Sequence, residues 1–142
     1  MTTTLAQTVS AAALPANRRR GGDIRTVLSP ATVGSTAGFM GTVTLQPGDV
    51  VTEHFHPYSE EFLYLVSGRI TVALDGVQTE LTGGSGLFVP IGVRHRLHNT
   101  HDEPAFGVFH LSPLAPRPDM GHVDTEALPG DAPPATAERA AP

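Results

Sequence analysis

Apolar side chains recur at every second position in a series of short runs between residues 39 and 111. A β-strand sends successive side chains to opposite faces, so each run predicts a strand with one face in a core. Phe39 to Leu45 sets Phe39, Val43 and Leu45 on one face, and Pro47-Gly48-Asp49 then turns the chain. Phe62 to Val66 is apolar throughout and is closed by Ser67-Gly68. Arg69 to Leu74 carries Ile70, Val72 and Leu74 inward, and Asp75-Gly76 is a hairpin turn onto Val77 to Leu81. Gly83-Gly84-Ser85-Gly86 reads as a loop, followed by strands over Leu87 to Val89, Val93 to Asn99 and Ala105 to Leu111. No helical period of useful length interrupts them. Many short strands separated by turns predict an all-β sandwich or barrel.

The two ends lack this pattern. Residues 1–20, rich in Thr, Ala and Ser, predict a flexible arm, and residues 113–142, punctuated by proline, predict a mostly irregular tail. The barrel is then assigned to residues 21–112, the single domain that 142 residues allow. A formal charge of −5 argues against an electrostatic hold on nucleic acid or an anionic membrane. No apolar run approaches the roughly 20 residues that span a bilayer, and the Arg18-Arg19-Arg20 cluster follows the apolar run Val9 to Leu14 instead of preceding it, so a cytoplasmic location is expected. The absence of cysteine and lysine removes disulfides, thiolate ligands and Schiff-base chemistry.

Candidate chemistry centres on His54 and His56, which share a face if the segment is a strand. Glu61 is in phase with Leu63 and Leu65, and His95 with Leu97 and Asn99, so all four polar groups are expected to point into an apolar barrel. Isolated, each would cost several kcal/mol to bury. Two or three imidazoles with a carboxylate instead form a mixed nitrogen and oxygen site for a divalent metal. Glu60 and His98 fall on the opposite, outer face. His110 is in phase with Phe106 and Val108, as a core histidine, a fourth imidazole near the mouth or an acid/base group. The hydroxyls of Tyr58 and Tyr64 are candidate proton donors, against packing as the plainer role. The six phenylalanines are assigned to the core and Asn99 to a hydrogen-bonding strut.

The order Gly48, His54, His56, Glu61, Gly68 resembles the first signature motif of the cupin family, and Gly84, Pro90, Gly92, His95, Asn99 resembles the second. That resemblance implies a jelly-roll β-barrel with a metal in its mouth, held by His54, His56, Glu61 and His95. Over residues 15 to 115, segments such as Arg19-Arg20-Gly21-Gly22-Asp23-Ile24-Arg25, Leu28-Ser29-Pro30, Gly38-Phe39-Met40-Gly41 and His56-Pro57-Tyr58-Ser59-Glu60-Glu61 are similar to cupin-type aromatic polyketide cyclases of the tetracenomycin, resistomycin and spore-pigment type. This narrower resemblance implies one divalent ion per chain, zinc before Fe2+, Ni2+ or Mn2+. It also implies a homodimer and a poly-β-ketone substrate with an acyl carrier protein as its candidate carrier. The expected reaction is an intramolecular aldol condensation and aromatisation, assisted by a Lewis-acidic ion through His54, His56, Glu61 and His95, with His110 and Tyr64 as further candidates. The alternatives are a cupin dioxygenase or monooxygenase acting on an aromatic or diketone substrate, and a non-catalytic small-molecule-binding cupin. The segment Ile24 to Leu28 is a candidate to cross onto a second subunit.

Overall fold

The computed structural model describes residues 5–131. Residues 1–4 and 132–142, which complete the expected arm and tail, lie outside the described residues. Ten strands follow in order: β1 (Asp23–Leu28), β2 (Phe39–Leu45), β3 (Val50–Phe55), β4 (Glu60–Ser67), β5 (Arg69–Leu74), β6 (Val77–Thr82), β7 (Ser85–Val89), β8 (His95–His98), β9 (Ala105–Ser112) and β10 (Val123–Asp124). They make two antiparallel five-stranded sheets, ordered β1-β2-β9-β4-β7 and β10-β3-β8-β5-β6. The one α-helix among the described residues, α1 (Pro30–Val33), is a single turn closed by a capping box between Ser29 and Thr32. No helix among the described residues is long and apolar enough to cross a membrane.

The core lies between the sheets. Val43, Leu45, Leu63, Leu65, Phe109 and Leu111 come from one sheet, and Val51, Ile70, Val72, Leu81 and Leu97 from the other. The alternation read from β2, β4 and β5 holds in each case. Asp75-Gly76 turns β5 into β6 with φ values of 47° and 84°, the doubly positive turn that matches the twist of a hairpin. Gly68 has no room for a side chain, because a Cβ there would lie 2.6 Å from the Pro104 carbonyl oxygen.

Four elements depart from the expectations. β7 begins at Ser85, inside the expected loop, because Ser85 and Gly86 pair with Leu65 and Tyr64. Ile24 to Leu28 lies in β1, an edge strand that pairs with β2, Ile24 opposite Val43. The arm and tail also return to the barrel. Asn17 bridges to Ile24, the Thr52 N–H donates to the Arg20 carbonyl at 2.9 Å, and β10 pairs with β3. β9 is phased opposite to the expectation. Ala105, Gly107, Phe109 and Leu111 face the core, while Phe106, Val108 and His110 face outward. Phe62, 45% exposed, and Phe88 are likewise on the outer surface instead of in the core, stacked at 5.2 Å between ring centres.

Asn99, fully buried beyond the end of β8, ties the loops together. Its amide donates to the Leu45 and Glu103 carbonyls at 2.9 and 2.8 Å, and its oxygen accepts from the His101 N–H at 3.0 Å. Replacing it with alanine removes a partner from the buried Leu45 carbonyl and from the two part-buried groups, and a buried group left unsatisfied costs about 1–3 kcal/mol. Urea unfolding of Asn99→Ala is therefore expected to show a lower midpoint with an unchanged slope. An unchanged midpoint contradicts the strut.

Candidate metal centre

His54 and His95 are direct cross-strand partners on β3 and β8. Strict alternation from buried Val51 would send His54 outward, three residues later. The register of β3 against β8 shifts between Val51 and His54, so Val51 and Thr52 are both buried and His54 then turns inward. His56 follows β3 directly, and Pro57, which has no N–H for a ladder, comes after it. Glu61 arrives from the opposite sheet, on β4. All four side chains are buried.

Every imidazole is held the same way. The Nδ1 atoms of His54, His56 and His95 lie 2.8, 3.0 and 3.0 Å from the backbone carbonyls of Thr52, Gly121 and Val93. A carbonyl only accepts, so each Nδ1 carries a proton, and Nε2 is the atom that each imidazole, when neutral, offers to an ion. Donor atoms of the three histidines lie within 4.8 Å of one another. The Glu61 Oε1 lies 3.0 Å from His56 Nε2 and 3.2 Å from His95 Nε2. Even so, His95 Nε2 is one of two buried side-chain atoms with no hydrogen-bond partner among the described residues, the other being Thr52 Oγ1.

The electrostatics ask for a cation. Burial pushes His54 down to about 3, reinforced by the neighbouring His95. Burial opposes ionisation of Glu61, yet the hydrogen bond to His56 and the nearby His95 hold its carboxyl below the usual carboxylate range. Burial also works against a charged His95, but the Glu61 carboxylate outweighs it and raises that histidine above its ordinary 6.5. A buried carboxylate facing convergent imidazole lone pairs is a complete donor set for a divalent ion. Two ligand atoms on one such ion stand about 3.0–3.4 Å apart, given bonds of about 2.0–2.1 Å. The Glu61 contacts to His56 and His95 match this spacing, and an ion there would supply the partner His95 Nε2 lacks. The residues fit the metal.

The Cupin domain family matches residues 41–110. Relatives extend the match almost end to end. Polyketide synthase CurC of Streptomyces cyaneus is 60% identical over 111 residues, 78% of this chain and 72% of that protein. Protein SchB of Streptomyces halstedii is 53% identical, covering 94% of this chain and 96% of its own. The tetracenomycin polyketide synthase protein TcmJ of Streptomyces glaucescens is 48% identical over 89% of each. The chain belongs to the cupin family. Among solved structures, a Klebsiella pneumoniae protein with a double-stranded β-helix domain superposes on this cupin with a TM-score of 0.68. It is 18% identical and covers 87% of this chain and 100% of its own. Bacillus subtilis oxalate decarboxylase, a protein with Mn(II) centres, gives 0.69 at 20% identity, over 81% of this chain and 31% of its own.

The structure thus brings together His54, His56, Glu61 and His95, and leaves the other three candidates apart from them, Tyr58 being exposed at the surface. Tyr64, 48% exposed, and His110 lie on the outer face of the cupin barrel, beside an external groove with Met40, Phe62 and Phe88. The large residues of β9 misled its phase, because the inward positions include small Ala105 and Gly107. Glu60 and His98 sit on the outer side of their strands, as expected. The cavity over the four buried groups, about 170 Å³, is walled by Phe39, Val43, Leu97, Phe109 and Leu111. It also takes in Asn17, Arg20 and His122 from the two end segments, which the sequence reading left without a role.

Protons and metal compete for the same nitrogens. Because His95 is raised above 6.5, competition begins on the alkaline side of the ordinary histidine range. Zinc affinity measured by chelator competition is expected to fall steadily as the pH is lowered from about 8 to about 6, with proton release on binding. A flat profile over that span contradicts the assignment.

Proposed function

We propose that this cupin is a metal-dependent cyclase of aromatic polyketide biosynthesis, closing a ring of a poly-β-ketone by intramolecular aldol condensation. The supporting observation is a cation-seeking histidine and carboxylate cluster at the base of an apolar cavity, in a chain whose near full-length relatives bear polyketide synthase names. The participation in aromatic polyketide biosynthesis follows those relatives. The metal dependence and the aldol step are the finer reading.

A divalent ion, when bound, supplies Lewis acidity at a carbonyl oxygen. The chain's own residues do the rest. His54, His56 and His95 present fixed Nε2 atoms that would hold the ion, and Glu61 would balance its charge. The reaction joins an enol carbon to a carbonyl carbon of the same chain, moves a proton to the former carbonyl oxygen, and then loses water to form a conjugated ring. Phe39, Val43, Leu97 and Phe109 exclude solvent from the reacting carbonyls and confine the chain to folded conformers, replacing entropy that the free chain would have to lose. At about 170 Å³ the cavity is smaller than the ~300–1,000 Å³ of whole-ligand pockets, so it encloses one segment of a long polyketone at a time.

The test is reconstitution with an acyl-carrier-bound poly-β-ketone generated in place. The zinc-loaded protein is expected to redirect the product mixture toward one cyclised aromatic compound, and the chelator-stripped protein is expected to leave the spontaneous mixture unchanged. His110→Ala and Tyr64→Phe retain the loaded activity, since both residues lie outside the barrel. Undiminished cyclisation by stripped protein overturns the metal-dependent reading, and oxygen consumption with an oxidised product replaces the cyclase with an oxygenase.

A further inference from the structure

Two of the three histidines are oriented locally. His54 and His95 each donate to a carbonyl two residues earlier in the chain, Thr52 and Val93. His56 is different, because its Nδ1–H is held by Gly121, 65 residues further on. That carbonyl belongs to the segment the sequence presents as a proline-rich tail. The orientation of one metal ligand therefore depends on how that segment is fastened.

The fastening is dense and directed at β3. Val123 pairs with Phe55 and Asp124 with His54. The Thr125 N–H donates to the Glu53 carbonyl at 3.0 Å, and the Glu53 N–H donates to the Glu126 carboxylate at 2.7 Å. Arg96 donates to both oxygens of that same carboxylate. From the other end of the chain, Arg20 donates to both Asp124 oxygens, at 2.6 and 3.1 Å. The Arg20 carbonyl meanwhile accepts from the Thr52 N–H at 2.9 Å, and Thr52 orients His54. A two-pronged guanidinium–carboxylate pair is directional, because its two parallel hydrogen bonds fix the relative orientation of the groups. It joins the segments that flank the barrel across β3, the strand that carries His54 and leads into His56.

We propose that residues 121–126 are a latch on the metal centre: through the Gly121 carbonyl they set the tautomer and orientation of His56, so that docking of the latch and metal occupancy stabilise each other. Such reciprocity is required wherever one binding event orients the groups used by another. Carbonyl partners of ligating imidazoles commonly change metal affinity by about 10–100-fold when lost. Gly121, Asp124 and Arg20 are positioning residues, acting on the ion through His56 and His54. The inference rests on the metal reading of the site, though not on any particular reaction.

The test uses zinc alone, on the full chain stripped of metal and titrated against a chromophoric chelator. Asp124→Asn is expected to bind zinc roughly 10-fold more weakly than the parent. Exchanging the pair, Arg20→Asp together with Asp124→Arg, is expected to recover most of the loss. On the unmodified protein, hydrogen exchange is expected to slow at the Thr125 amide when zinc is added. Parent-like affinity in Asp124→Asn, or zinc-independent exchange at Thr125, overturns the latch while leaving the metal centre standing. Failure of the parent to take up zinc overturns the metal reading itself and the latch with it.

Discussion

Three imidazoles and a carboxylate buried together in an apolar barrel are the constraint on which the rest of the structure depends. Burial of such groups is costly unless each is paired. Three backbone carbonyls pair the Nδ1 atoms, which turns all three Nε2 atoms toward a common point beside Glu61. The arrangement leaves His95 Nε2 without a partner, and the Glu61 carboxylate biases the cluster toward holding positive charge. The barrel thus gathers in its interior a donor set that could hold a metal ion.

Delivering those groups takes both sheets and one irregularity. β4 brings Glu61 from one sheet, and β8 with the end of β3 brings the imidazoles from the other. The register shift in β3 allows an apolar strand start to be followed by inward-facing histidines. Without it, His54 would face solvent and the site would lose the ligand that lies directly across from His95. Above the cluster, Phe39, Val43, Leu97, Phe109 and Leu111 wall a cavity of about 170 Å³, so the polar groups open onto an apolar space.

Much of this was legible in the sequence because period-two alternation survives wherever inward residues are large. Leu63 and Leu65 placed Glu61 correctly, and Leu97 did the same for His95. The motif spacing named all four buried polar groups. The failures have physical reasons. In β9 the inward face carries Ala105 and Gly107, so the bulky Phe106 and Val108 drew His110 to the wrong side. Phe62 and Tyr64 occupy a solvent face that is itself apolar, which alternation by hydrophobicity cannot distinguish from a core. The Gly121 carbonyl carries no side-chain signature, and a two-residue strand such as β10 sits below any periodicity, so the tail's contact with His56 was invisible. Nothing in the Arg18-Arg19-Arg20 cluster singles out Arg20, because its partner Asp124 lies more than a hundred residues away.

The most direct measurement is the metal content of protein purified without chelator and without a nickel column, beside a His54→Ala control that removes one donor. About one divalent ion per chain in the parent, and a marked loss in the control, is the result the account predicts. Metal-free parent protein that also fails to take up added zinc contradicts it, because the buried cluster would then be satisfied without the cation its geometry requires.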